Sequence, residues 1–78
     1  MTRQSKMEIR VWERSPVRGM SIGEIRERFN VFILKVSRGN EARNPPDKMR
    51  LDGGDYIFLV GESQNCSKFV EYSKVPIL

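Results

Sequence analysis

LDGGDYIFLVGE, residues 51 to 62, sets a pair of glycines between aspartates and follows them at once with an unbroken apolar run. Gly53 and Gly54 can adopt φ values that side chains disfavour, so the chain can reverse there before entering a strand. Tyr56, Phe58 and Val60 then fall on one face and Ile57 and Leu59 on the other. A strand that is apolar on both faces belongs in the middle of a sheet. Asp55, immediately before the strand, is placed to accept backbone amides of the turn.

The neighbouring segments supply what that strand needs. VFILKVSRG, residues 31 to 39, is rich in β-branched and aromatic residues and predicts a second strand ending at Gly39. Its alternation places Phe32, Leu34 and Val36 on one face and Val31 and Ile33 on the other, before Lys35 and Ser37 turn polar. Two short helices are thin cover for both faces, so a second copy of the chain is expected over Val31 and Ile33. Ahead of this strand, Ser21 and Glu24 form the S-x-x-E capping box, with Met20 and Ile25 at the hydrophobic-staple positions. Ile22, Ile25 and Phe29 share one face of the helix so started, and Asn30 can close it in a left-handed conformation.

The remaining segments complete the count. MEIRVWE alternates Met7, Ile9 and Val11 with Glu8, Arg10 and Trp12, the pattern of a half-buried strand. Residues 1–6 carry no pattern and read as a flexible tail. SPVRG, residues 15 to 19, turns the chain into the first helix. Pro45 and Pro46 make residues 40 to 50 a rigid connector or sheet edge, and MRL reads as a short strand. Beyond Gly61, with Ser63 as cap, Cys66, Phe69 and Val70 recur at helical spacing, and the helix must end before Pro76. The expectation is one α+β domain over residues 7–78, a small sheet of about four strands with two short helices.

Composition removes several function classes. The chain has 78 residues, no histidine, one cysteine and a net charge of +4. A lone cysteine forms no internal disulfide, and without a His/Cys cluster no metal or cofactor is expected. Asp47, Asp52 and Asp55 lack calcium-loop spacing and read as turn residues. Cys66 has no base beside it, and no phosphate loop, dinucleotide fingerprint or nucleophile elbow occurs, so a non-catalytic protein is expected. No stretch approaches the ~20 apolar residues of a membrane span, and a cytoplasmic setting is the expectation. The basic residues alternate with acids in EIRER and NEARNPPDKMRLD, which describes a solvated mixed-charge surface. A small nucleic-acid-binding protein is the alternative reading, carried only by the charge and by Trp12, Phe32, Tyr56 and Phe58 as stacking residues.

The motifs in order resemble a known family. SPVRG followed by MSIGEI is similar to the S-P-x-x-G-x-[ST]-[LI]-x-E-[LI] opening of the C-terminal domain of regulators of potassium conductance, the TrkA-C or RCK-C family. VFILKVSRG, Pro45, Leu51 and Gly54-Asp55 before YIFLVG continue the match at the family's separations. The resemblance implies a dimeric α+β module that follows a nucleotide-binding Rossmann domain on the cytoplasmic side of potassium channels and transporters. It implies a regulatory, ligand-binding and dimerisation role in potassium or related ion transport, peripheral to the inner face of the membrane and without insertion into it. The expected interface comprises the first helix and the Val31 to Val36 strand. A small anionic or nucleotide ligand is expected in the cleft between subunits, against Arg28, Asn30, Val31, Phe32 and Ile33. Three departures bear on this: between Ile25 and Arg26 the chain is about two residues shorter than many members, Asn30 stands where glycine is common, and Phe32 stands where members that bind cyclic di-AMP often carry a polar side chain, which argues against cyclic di-AMP and leaves another small ligand open. EARN, residues 41 to 44, also lacks the apolar pair usual in that segment.

With acids interleaved among the bases, random duplex DNA at physiological salt should bind no more tightly than about 1 µM. Fluorescence anisotropy over a salt titration measures this, and submicromolar binding with a steep salt slope would contradict it.

Overall fold

A computed structural model describes residues 2–76 of the chain. The elements in order are β1 (Gln4–Arg10), α1 (Ile22–Phe29), β2 (Phe32–Arg38), β3 (Glu41–Arg43), β4 (Tyr56–Glu62) and α2 (Ser63–Ser73). The strands form one antiparallel sheet in the order β1-β4-β2-β3, so the apolar strand at the centre of the sequence argument is central in space. This is the expected α+β arrangement of four strands and two helices.

Local chemistry fixes the helix ends. Ser21 accepts the Glu24 amide at 3.1 Å and the Glu24 carboxylate accepts the Ser21 amide at 3.1 Å, completing the capping box. Asn30 closes α1 at φ 55° and ψ 44°, the left-handed conformation that explains why glycine also suits this position. At α2 the expectation was less accurate. Ser63 is the first helical residue, Glu62 is the cap without a side-chain bond, and the Ser63 hydroxyl instead meets that of Ser5 at 2.6 Å.

Two strand boundaries are corrected in the same region of the sheet. β1 begins at Gln4, so residues 4–6 belong to the sheet and not to a tail; Ser63 donates its amide to the Arg3 carbonyl at 2.8 Å and extends the pairing through residues without an apolar pattern. Met1, also assigned to that tail, lies outside the described residues. MRL forms no strand: Arg50 makes one isolated bridge to Ser21, while Leu51 exchanges backbone bonds with Gly19 and Met20. The short strand is instead β3, in the polar EAR segment at the sheet edge.

A β-bulge decides which faces β2 presents. Ile33 pairs with Leu59, but Lys35 pairs with Phe58, so Leu34 is the extra residue between them. Without the bulge Val36 would share a face with Phe32 and Leu34; with it, Val36 joins Val31 and Ile33 in the core. Ile57 and Leu59 of β4, Ile22 and Ile25 of α1, and Cys66 and Phe69 of α2 complete that core, together with Val11, Val17 and Leu51. The cover expected from a second subunit over Val31 and Ile33 comes from within the chain itself.

The turn before β4 is tied down by a buried carboxylate. Asp55 is 1% exposed; it accepts Arg38 Nε and one terminal guanidinium nitrogen at 2.8 Å each and the Asp52 amide at 2.8 Å. Arg38 also donates to the Arg50 carbonyl at 3.0 Å. Burial pushes the Asp55 carboxyl up, but Arg38 and the Asp52 amide outweigh burial and hold it below its ordinary value. Gly54 sits at φ 89° with open space where a Cβ would be, so its requirement is conformational and not steric crowding.

Asp55→Ala should cost about 3 kcal/mol in urea unfolding, because it strands the arginine and the Asp52 amide. Since the folded carboxyl titrates below the unfolded value of about 4, its stabilisation is complete above that pH and is lost as pH falls through the lower folded value. Asp55→Asn should lack this acid-side component, and identical pH profiles for the two proteins would refute the assignment. Gly54→Val should lower the melting temperature through backbone strain of about 1–2 kcal/mol.

Candidate functional site

Both helices pack on one face of the sheet, and among the described residues nothing covers the other face. Across the strands its rows read Arg10, Tyr56 and Ser37, then Glu8, Phe58 and Lys35, then Lys6, Val60 and Phe32. Phe32, Leu34 and Tyr56 are each 48% exposed; Trp12, 55% exposed, lies beyond the end of β1 and lines a separate cleft with Ser73 and Lys74 at the end of α2. These are large apolar surfaces that the chain's own core does not use. Leu34 shares this face with Phe32 by plain alternation, the bulge adds Lys35 to it, and Leu34 with Phe58 lines a cleft of about 320 Å³ whose other walls are Glu8, Lys35 and Asn44. An apolar floor with one cation, one anion and an amide at its rim suits a small ligand of mixed character or an edge of another protein.

The residues expected to form the ligand site separate into three environments. Val31 and Ile33, 0% and 8% exposed, are core residues and cannot touch a ligand without unfolding; this corrects both their place in the site and their place in the interface. Arg28 points to the helical side, its guanidinium 4.8 Å from the Tyr72 ring and 5.4 Å from that of Phe29, and it donates to the Tyr72 hydroxyl at 3.4 Å. Asn30 is exposed at the end of α1, its backbone carbonyl accepting from Asn65 Nδ2 at 3.5 Å. Phe32 alone of the five lies on the open sheet face. Leu34, Lys35, Asn44 and Phe58 were missed as site residues. The alternation of Tyr56, Phe58 and Val60 did mark their face, but the expected cover over it obscured what it leaves open.

Other candidate chemistry resolves into structure. Asp47 is held by Arg26 at 2.7 Å, Asp52 by Arg18 at 3.2 Å and Asp55 by Arg38 at 2.8 Å, so the three acids are engaged by separate arginines. Among the described residues no group of histidine, cysteine, aspartate or glutamate could hold a metal ion, and no helix is long and apolar enough to cross a membrane. Cys66 is buried, and burial pushes its thiol up, away from the reactive thiolate.

This architecture is shared with solved proteins. The RCK C domain of the potassium transport protein KtrA, in complex with cyclic diadenosine monophosphate, is 25% identical over 87% of this chain and 81% of that one, with a TM-score of 0.74. The RCK C domain dimer of BusR from S. agalactiae, in complex with the same nucleotide, is 26% identical over 88% of this chain and 95% of that one, with a TM-score of 0.75. In BusR bound to its busAB promoter DNA the match is again 26% identical over 88% of this chain, at a TM-score of 0.76, but it spans 35% of that longer chain. No curated protein sequence matches the chain significantly. The model of the TrkA-C domain matches residues 6–74, nearly the whole length over which the capping box, the bulged strand and the glycine turn build the sheet, and the chain belongs to the TrkA-C, or RCK C-terminal, domain family.

Proposed function

We propose that this chain is a regulatory ligand-binding and dimerisation module of a potassium or related ion-transport system. The observation that carries the reading is the open sheet face with Phe32 and Leu34 half exposed in a chain of the TrkA-C family. A second copy laid over that face would remove the exposed half of these side chains from water, each contributing up to about 1 kcal/mol. Membership of the family, and the dimeric state of the BusR domain, support the same conclusion. The interface meant is Phe32, Leu34 and Phe58, not the buried Val31 and Ile33. The module acts by binding: a ligand held between two copies stabilises their paired arrangement and passes that preference to whatever domain is attached. The attached transporter would be on the cytoplasmic side of a membrane, reached through a nucleotide-binding domain.

A nucleotide is the ligand class supported by the KtrA and BusR complexes. Phe32 supplies a stacking surface where a polar contact is common in the family, so cyclic di-AMP itself should bind this chain weakly.

Light scattering at micromolar concentration should show the wild-type chain associated at least as a dimer and Leu34→Asp associating markedly more weakly, with its cooperative melting retained; a wild-type monomer would overturn the proposal. Ile33→Asp, in contrast, should unfold the protein, since it buries a charge in the core. In a thermal-shift titration cyclic di-AMP should raise the melting temperature of Phe32→Asn more than that of wild type. An equal or larger shift for wild type would remove the stated role of Phe32.

A further inference from the structure

β1 is one rim of the sheet, and among the described residues no strand pairs with its outer edge. Parity determines which of its backbone groups point outward. Val11 donates its amide to the Asp55 carbonyl and accepts the Gly54 amide, both at 2.7 Å, and the Arg3 carbonyl accepts the Ser63 amide at 2.8 Å. Odd-numbered residues therefore turn their backbone groups toward β4, and the N–H and C=O groups of Gln4, Lys6, Glu8 and Arg10 face outward. On the core side of the same strand Met7 and Ile9 remain only partly buried.

We infer that β1 pairs antiparallel with β1 of a second copy about a two-fold axis at Met7, joining the two sheets edge to edge. Outward-facing residues must pair with outward-facing residues, which leaves three registers of appreciable overlap. An axis at Lys6 sets the two copies of Lys6 against each other. An axis at Glu8 opposes Glu8 to itself and Lys6 to Arg10. The axis at Met7 sets Lys6 opposite Glu8 and Glu8 opposite Lys6, with Gln4 opposite Arg10 at each end. Like charges directly opposite destabilise a strand pair and opposite charges stabilise it, so this register is selected over both competitors.

The other side of the strand agrees. With the axis at Met7, the two Met7 residues meet in a non-hydrogen-bonded pair, where side chains approach most closely. Ile9 then lies opposite Ser5, and the partly exposed apolar row of each rim is continued by that of the other copy. Charged edge strands generally guard against pairing; here the charges exclude the wrong registers and admit one. The surface is separated from Phe32 and Leu34 by the width of β4 and β1, so it is a second interface that does not depend on the proposed ligand module.

The test uses the full chain carrying Leu34→Asp, which removes the open-face contact whether or not that contact forms. Sedimentation should show concentration-dependent dimers weakened roughly tenfold by Lys6→Glu or by Glu8→Lys, with association recovered in the Lys6→Glu/Glu8→Lys double variant. Met7→Cys should oxidise to a covalent dimer much faster than Lys48→Cys on the exposed loop, because a non-hydrogen-bonded antiparallel pair brings Cα atoms within disulfide reach. Buried Cys66 is common to both variants. A double variant as weakened as the singles, or equal oxidation rates for the two cysteine variants, would overturn the inference.

Discussion

The contact between Arg38 and Asp55 holds together the parts of the fold that the backbone ladder does not reach. Arg38 is the last residue of β2, and Asp55 immediately precedes β4. Their bidentate pair, with the Asp52 amide on the same carboxylate and the Arg50 carbonyl on the same guanidinium, fixes residues 50 to 55 against the end of the neighbouring strand. From there the restraint passes on. The Asp55 carbonyl and the Gly54 amide bond Val11, Leu51 exchanges bonds with Gly19 and Met20, and the chain at Ser21 starts α1. A carboxylate this deeply buried is costly alone, and an arginine with two matched donors is the residue type whose geometry offsets the cost.

Once that turn is fixed, β4 enters the sheet with Ile57 and Leu59 toward the helices, and Tyr56, Phe58 and Val60 toward the open side. The bulge at Leu34 then does two things with one residue. It returns Val36 to the core and it brings Lys35 onto the open face opposite Phe58, beside Leu34. A regular strand would have given either a poorer core or a different exposed face. The charge at the rim of the open face is therefore coupled to the way the core is filled.

What could be read from the sequence was what is decided locally. The capping box of Ser21 and Glu24, the left-handed closure at Asn30 and the alternation of β4 each depend on residues a few positions apart, and each appears as expected. Asp55 was legible as a turn residue, but its partner Arg38 lies 17 positions away and is identified only by the fold. The bulge left no local mark, since Phe32, Leu34 and Val36 satisfy a plain period of two. The candidate site differs for that reason: the sequence carries the number of helices but not their placement, so Val31 and Ile33 read as facing outward, whereas the fold packs both helices over them. β1 was begun too late because its first pairs are polar and are set by Arg3, Ser5 and Ser63.

A chain of this size buries a modest core, so the one-sided sheet matters energetically as well as geometrically. Anything that binds only the folded form stabilises it by mass action, whether a second copy on the open face, a second copy on the β1 edge or a ligand between subunits. If two such events engage the same folded protomer, each raises the population available to the other, even without a change in shape. A regulatory module gains from this arrangement. A protomer with both sheet faces covered by its own helices would be more stable alone, but it would have less free energy to exchange with a partner. The exposed Phe32 and Leu34 are in this sense the counterpart of the buried Asp55: one contact makes the fold self-sufficient enough to form, and the open face leaves part of its stability to association.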